Sequence, residues 1–120
     1  MMTFRIVFVA LIALASAPAA WAHAFLDHAA PAVGSTVRGS PVEVKLWFTR
    51  AIEPASSTVR VLDASGRQVD GMDKQLDASD RTLLKVTVPA LAPGAYRVLW
   101  RVLSVDSHLS EGDFRFDVVR

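Results

Sequence analysis

The feature of this chain that most constrains its fold is a repeated alternation of apolar and polar residues with a period of two. Because successive side chains of a β-strand point to opposite faces of a sheet, this alternation predicts half-buried strands of an antiparallel sheet. Clusters of Gly, Pro, Asp and Ser separate the alternating segments and predict turns between them. The alternating segments are residues 42–48, 59–61, 84–88, 96–102 and 114–118.

Short strands at this spacing, without an amphipathic helix of three turns, predict an all-β protein with an immunoglobulin-like Greek-key β-sandwich. The polar, Asp-rich stretch from Gln68 to Arg81 is predicted to be a loop, with one short edge strand as the alternative. Tyr96 and Trp100 fall on the apolar phase of their strand and are expected in the core. Trp47 falls on the polar phase, so it either packs beneath a loop or belongs to a partner-binding patch.

The start of the chain has the pattern of a secretory signal peptide. Arg5 precedes an apolar run from Ile6 to Ala15, and Ala20-Trp21-Ala22 is a small-x-small cleavage site. We therefore expect a leader at residues 1–22 and one mature domain at residues 23–120. The apolar run is too short for a good membrane anchor, so no stable membrane insertion is expected after cleavage.

Charge and sulfur content argue against several kinds of function. The chain has 13 basic and 12 acidic residues, and Arg5 belongs to the leader, so the mature part is nearly neutral. A nucleic-acid-binding or polybasic membrane-surface protein should be more basic than this. Cysteine is absent, and Met72 is the single methionine after the leader. A sulfur-rich site for copper(I) therefore cannot be built from this chain alone.

The positions of the histidines point to a metal. Cleavage after Ala22 would make His23 the N-terminal residue, whose amine and ring Nδ1 can chelate one ion together. His108 follows Asp106 by two residues, so in an extended segment both side chains lie on the same side. Nitrogen-rich coordination with one carboxylate oxygen suits Cu(II), which the Irving–Williams order also favours. The sequence predicts one Cu(II) per mature chain, bound by His23, Asp106 and His108.

His28, the third histidine, fits the predicted site less well. His23 and His28 are separated by an odd number of residues, so in a regular strand they point to opposite faces. We interpret His28 as a surface histidine or as a group that supports a ligand without binding the metal.

Three classes of function remain open from the residues alone. The first is a non-catalytic protein that sequesters or delivers Cu(II), and the second is a copper-dependent oxidative enzyme with an N-terminal histidine site. The third is an interaction module in which the histidines are incidental. Hydrolysis is poorly supported, because Ser104 and Ser107 lie near Asp106 and His108 in sequence but no nucleophile motif is present.

Several segments carry motifs that are more specific than strand alternation. They are His23-Ala24-Phe25-Leu26 with Pro31-Ala32-Val33-Gly34-Ser35, then Val44-Lys45-Leu46-Trp47-Phe48-Thr49, the stretch from Pro93 to His108, and Gly112-Asp113-Phe114-Arg115-Phe116. Together they cover essentially the whole mature chain, and they resemble the family of CopC-like periplasmic copper-resistance proteins.

The resemblance implies an immunoglobulin-like β-sandwich that binds Cu(II) in the periplasm and acts in copper tolerance, without enzymatic activity. It implies that the ligands are the amine and ring of His23, the carboxylate of Asp106 and the ring of His108. It also implies a partner, since the family often works beside an inner-membrane copper transporter of the CopD type. We expect the protein itself to be a monomer.

Two positions depart from the family's pattern. Some members carry a Met-rich loop with a histidine for Cu(I), whereas the stretch from Met72 to Asp80 has one Met and no His. No Cu(I) site is therefore expected here. Arg50 follows Phe48-Thr49 where the family often has Glu. Changes in groups that surround metal ligands cost roughly 10–100-fold in affinity, so a cation at this position is expected to alter the copper affinity.

Overall fold

The computed structural model describes residues 24–120, so the predicted leader and His23 lie outside the described residues. In the described part, the chain forms strands joined by turns, together with a 3-10 turn at Pro54–Ser56. None of the helical structure in residues 24–120 is long and apolar enough to cross a membrane. The strands are β1 Leu26–Ala30, β2 Thr36–Arg38, β3 Glu43–Phe48, β4 Thr58–Leu62, β5 Gln75–Asp77, β6 Asp80–Thr87, β7 Gly94–Leu103 and β8 Leu109–Val119.

The strands form two four-stranded sheets, with the orders β1-β3-β6-β5 and β2-β8-β7-β4. The predicted all-β, immunoglobulin-like Greek-key β-sandwich is confirmed. The predicted strands pair antiparallel with one another. Alternation did not reveal β2, which pairs parallel with residues 117–119 of β8, because three residues are too few to show a period.

The core lies between the two sheets and is built from the apolar phase of each strand. Tyr96 and Trp100 are both buried, as predicted. The Trp100 ring meets Phe48 of the opposite sheet edge-on, with ring centroids 5.3 Å apart. This contact joins β7 to β3 across the sandwich, near the end of the molecule where both strands finish.

The Asp-rich segment contains the short edge strand that was the alternative to a continuous loop. That strand is β5, which pairs with β6. The predicted loop extended to Arg81, but β6 already begins at Asp80. The carboxylate of Asp80 accepts hydrogen bonds from the backbone N–H and the hydroxyl of Thr82 at 2.9 and 2.6 Å. Asp80, whose polar character favoured a loop, thus stabilises the beginning of strand β6.

The outer edge of β4 is covered at Val61 by the segment that follows the strand. The Val61 N–H donates to the carboxylate of Asp70 at 2.8 Å, and the Val69 N–H donates to the Val61 carbonyl at 2.8 Å. Asp70 is the single charged residue among the buried polar residues of the described chain, the others being Ser57 and Ser104. Covering an edge in this way protects a sheet against pairing with another chain.

Candidate metal centre

Three chain segments meet at one end of the sandwich: residues 24–25, residues 49–53 and residues 104–110. The first two are joined by a reciprocal pair of hydrogen bonds. The Thr49 N–H donates to the Phe25 carbonyl at 2.8 Å, and the Phe25 N–H donates to Thr49 Oγ1 at 3.0 Å. These bonds continue the pairing of β1 with β3 beyond Leu26 and fix the start of the described chain.

Ala24 joins the first of these segments to the third. Its carbonyl accepts a hydrogen bond from the hydroxyl of Ser110, near the beginning of β8. Ala24 is fully buried, with 0% of its surface exposed. The residue that directly follows His23 in the sequence is therefore held beside a residue two positions after His108.

Asp106 and His108 lie in the tight hairpin loop between β7 and β8. The Ser107 N–H donates to the Ser104 carbonyl at 2.9 Å, and the Ser104 N–H donates to the His108 carbonyl at 3.0 Å. Ser107 has a left-handed backbone, with φ of 68°. This is the pattern of a three-residue hairpin loop that closes on a left-handed residue. The placement of Asp106 and His108 on the same side assumed an extended segment. That assumption is wrong, because the chain reverses direction at this point.

The hairpin loop is fastened to the segment that follows β3. The Val105 N–H donates to the Ala51 carbonyl at 3.1 Å, and the Glu53 N–H donates to the Leu103 carbonyl at 2.9 Å. Ser104, which is fully buried, pairs with Ile52 as an isolated bridge. The loop is thus held in place from below, while Asp106 and His108 are exposed at its tip.

The same fastening brings Arg50 to Asp106. Arg50 Nη1 lies 2.6 Å from Asp106 Oδ2, and the two side chains are 36% and 42% exposed. A predicted metal ligand is therefore already paired with a cation. In the sequence, Arg50 stands out only as a departure from the family pattern. Nothing in the local pattern around residue 106 indicates it.

Of the predicted ligands, the structure brings Asp106 and His108 together on one loop, while His23 lies outside the described residues. Within residues 24–120 no three His, Cys, Asp or Glu side chains converge on a point that could hold a metal ion. The three-ligand prediction therefore stays a prediction.

His28 is a surface residue, as one of its two interpretations held. Its ring stacks on Trp47 with centroids 4.3 Å apart and an interplanar angle of 9°. Its Nδ1 lies 2.6 Å from a carboxylate oxygen of Asp27. Trp47 thus packs beneath the His28 ring instead of beneath a loop. The pairing of β1 with β3 is irregular between Leu26 and His28, so counting residues along a regular strand does not apply to this segment.

A two-sheet sandwich that presents an Asp-x-His hairpin at one end, beside the start of its first strand, is a fold with a candidate metal centre. Residues 26–119 match the CopC domain family, and the chain belongs to that family. The family consists of copper-binding, non-enzymatic proteins of copper resistance and transport. This confirms the expectation of a copper protein that is not an enzyme, and it excludes the oxidative-enzyme alternative.

Individual relatives agree with this membership. The chain is 31% identical to the protein YobA of Escherichia coli over 102 residues, which cover 84% of this chain and 82% of YobA. It is similar to the crystal structure of CopC from Methylosinus trichosporium OB3b, with a TM-score of 0.75 and 39% identity over 80% of this chain and 93% of that one. It is 23% identical to the copper transport protein CutJ of Bacillus subtilis, over 82% of this chain and 18% of CutJ.

Proposed function

We propose that the mature protein, which begins at His23, is a periplasmic carrier of one Cu(II) ion. The ion is bound by the amine and ring of His23, the carboxylate of Asp106 and the ring of His108. The carrier sequesters copper or delivers it to a membrane copper transporter of the CopD type. The observation that carries this proposal is that Ala24, the first described residue, lies next to the hairpin that carries Asp106 and His108.

Covalent geometry supports the third ligand. Consecutive Cα atoms are about 3.8 Å apart, so the Cα of a histidine bonded to Ala24 is held about that far from the Cα of Ala24. Ala24 in turn is hydrogen-bonded to Ser110, and Phe25 is hydrogen-bonded to Thr49. The two bonds leave little freedom to the backbone next to His23. An N-terminal histidine at this position would start beside the hairpin that carries the other two ligands.

The donor set supports the choice of metal. Two imidazoles, one amine and one carboxylate are the borderline and hard donors that Cu(II) prefers, whereas Cu(I) prefers thiolates and thioethers. The described chain contains no cysteine, and Met72 lies in the loop before β5, far along the chain from Asp106. Because the amine and the rings must be unprotonated to bind a metal, the affinity should rise with pH.

Export and the membrane partner rest on separate observations. The Arg5 to Ala22 segment has the pattern of a cleavable leader, and cleavage there would free the amine that the site requires. The matching stretch of CutJ is 18% of a longer copper transport protein. A CopC-like domain can thus be part of one chain with a transport protein, which supports a transporter as the partner of this separate domain.

The test is a Cu(II) titration followed by electron paramagnetic resonance. One sample begins at His23, and the matched control is the same chain with its N-terminal amine acetylated. We expect the first to bind one Cu(II) tightly with a tetragonal, nitrogen-rich signal, and the second to lose tight binding because its amine is acylated. Equal binding by the two samples would show that the amine is not a ligand.

Two ligand variants complete the test. The double change His23→Ala and His108→Ala should abolish tight Cu(II) binding, and Asp106→Asn should weaken it. Tight binding that persists in the double variant would refute the assignment. Far-ultraviolet circular dichroism of each variant checks that the sandwich is intact.

A further inference from the structure

We propose that Arg50 is a competing counter-ion of Asp106, which weakens the binding of Cu(II) and so makes the copper site readily reversible. This inference rests on the proposed function, because it assumes that Asp106 is a copper ligand. It adds a residue that opposes the metal to those that bind it.

The contact between the two side chains is close and well supported. Arg50 Nη1 lies 2.6 Å from Asp106 Oδ2, just below the usual range of roughly 2.7–2.9 Å for a charge-assisted N–H···O hydrogen bond. The backbones on both sides are held together, because the Val105 N–H donates to the Ala51 carbonyl at 3.1 Å. Arg50 directly precedes Ala51, and Asp106 directly follows Val105. The pair is therefore a consequence of how the hairpin is fastened to the end of β3.

Binding of Cu(II) must act against this pair in one of two ways. If the ion takes Oδ2, the guanidinium loses its hydrogen bond. If the ion takes Oδ1, a doubly charged cation is added within a few ångströms of a guanidinium that is still bound to the same carboxylate. Both costs are met in the copper-bound state alone, since the copper-free protein keeps a neutral ion pair.

Arg50 also orients the carboxylate of Asp106, which would favour metal binding, but we expect this gain in affinity to be smaller than the loss. The two side chains are 36% and 42% exposed, and pairs exposed to this degree contribute little to holding a side chain in place. At the same distance, the guanidinium of Arg50 is repelled twice as strongly by a doubly charged ion as by a singly charged one. We therefore expect a net weakening, of roughly three- to tenfold in affinity once solvent screening is included.

Such a residue suits a protein that must give copper up. When the ion leaves, Arg50 takes back the carboxylate, so the copper-free hairpin is not left with an unpaired charge. An acidic residue at position 50 would attract the dication, whereas Arg50 repels it, so the copper site of this chain is biased toward release.

The experiment measures the Cu(II) dissociation constant by competition with a chelator, on chains that begin at His23. Arg50→Gln removes the charge and keeps a polar side chain of similar length. Arg50→Lys keeps the charge. The matched control is Arg97→Gln, because Arg97 makes an equally short 2.6 Å ion pair with Asp113 on the outer face of the sheet that contains β7 and β8. Its loss changes the net charge by the same amount.

We expect Arg50→Gln to bind Cu(II) three- to tenfold more tightly than the native chain, Arg50→Lys to restore the weaker binding, and Arg97→Gln to change the affinity less than twofold. If Arg50 had only a structural role, Arg50→Gln would bind Cu(II) more weakly than the native chain. In an Asp106→Asn background the gain from Arg50→Gln should disappear, since no carboxylate is left to compete for. The electron paramagnetic resonance spectrum of each complex reports whether the same donors bind.

Each result decides the inference. If the native chain binds tightly and Arg50→Gln binds equally or more weakly, the inference is overturned and the copper site stands. If the gain persists in full with Asn at position 106, Arg50 acts through space and not by competing for Asp106, which also overturns it. If the native chain shows no tight binding at all, the proposed function fails, and the inference fails with it.

Discussion

Ser107 is the residue at which the candidate site is strained. Its φ of 68° is left-handed, a conformation that costs a residue with a Cβ about 1–2 kcal/mol and that glycine adopts freely. Glycine also loses more backbone freedom on folding, which offsets part of the gain. We therefore expect Ser107→Gly to raise the free energy of unfolding of the copper-free protein by about 0.5–1 kcal/mol.

Urea denaturation of the copper-free protein measures this effect as a shift of the transition midpoint at constant slope. The matched control is Ser107→Ala, which removes the hydroxyl but keeps the Cβ, and it should leave the stability near that of the native chain. Equal stabilisation by both variants would mean that the hydroxyl, and not the backbone, is the source of the cost.

The sequence indicates the candidate ligands but not their contacts. His23, Asp106 and His108 stand out because histidine is scarce and each has a distinctive position in the chain. The pairing of Arg50 with Asp106 joins residues 56 positions apart, and it depends on the docking of the β7–β8 hairpin against the end of β3. No local period or motif carries that information. The departure at residue 50 indicated a difference without showing what Arg50 contacts.

At the scale of elements, the hairpin β7–β8 forms the longest pairing of the described chain and presents the candidate site at its tip. Gly112 in β8 faces Trp100 in β7, and a Cβ built on Gly112 would lie 2.5 Å from a ring carbon of Trp100. Trp100 is buried, so its ring has little space to move away. We expect Gly112→Ala to destabilise the fold by about 1–3 kcal/mol through overpacking.

Thermal or urea unfolding of the copper-free protein checks this expectation. Glu111→Ala is the matched control, because Glu111 is the exposed neighbour of Gly112 in the same strand, and its loss should change the stability by less than about 0.5 kcal/mol. Trp100→Leu removes core contacts itself, but it should cost less stability in the Gly112→Ala background than in the native chain, since the smaller side chain makes room for the added methyl group. Additive losses would show that the two positions do not clash.

The alternation of residues predicted long, half-buried strands well and short or polar strands poorly. Strand β3 was predicted almost to its bounds, because its three inward residues are all apolar. Only residues 114–118 of β8 were predicted, although β8 begins at Leu109. Its first half lies beside the polar hairpin, where backbone pairing with β7 defines the strand without an apolar phase. The short β2 depends in the same way on its partner β8.

At the scale of the whole molecule, the fold class could be predicted because a sandwich is implied by the number and spacing of alternating segments. The position of the site could not, because it depends on which strand ends meet. The β7–β8 hairpin belongs to one sheet and β1 and β3 to the other. The start of the described chain is held between them by Thr49 and Ser110. A metal bound there would join the two sheets at their common end.

Several aspartates in turns give the molecule a common dependence on pH. In each case a neighbouring hydroxyl, amide or ammonium group donates to the carboxylate and favours its charged form. The Ser65 hydroxyl and the Arg67 N–H lower the pKa of Asp63, and the Thr87 hydroxyl and N–H lower the pKa of Asp73. The Lys85 ammonium, 3.0 Å away, and the Ser79 hydroxyl lower the pKa of Asp77 to about 2.

We expect the copper-free protein to lose stability as the pH falls from about 4 to about 2, because the carboxylates in these turns become protonated. A carboxyl whose pKa is lower in the folded state than in the unfolded state stabilises the fold above its unfolded pKa, near 4, and this contribution disappears as the pH falls through the folded value. Urea unfolding at stepped pH should show the decline, and Lys85→Gln should make it shallower by raising the pKa of Asp77. Lys74→Gln removes the same charge one residue before β5 and should leave the slope unchanged. An equally steep decline in Lys85→Gln would show that the ion pair of Asp77 does not contribute to acid stability.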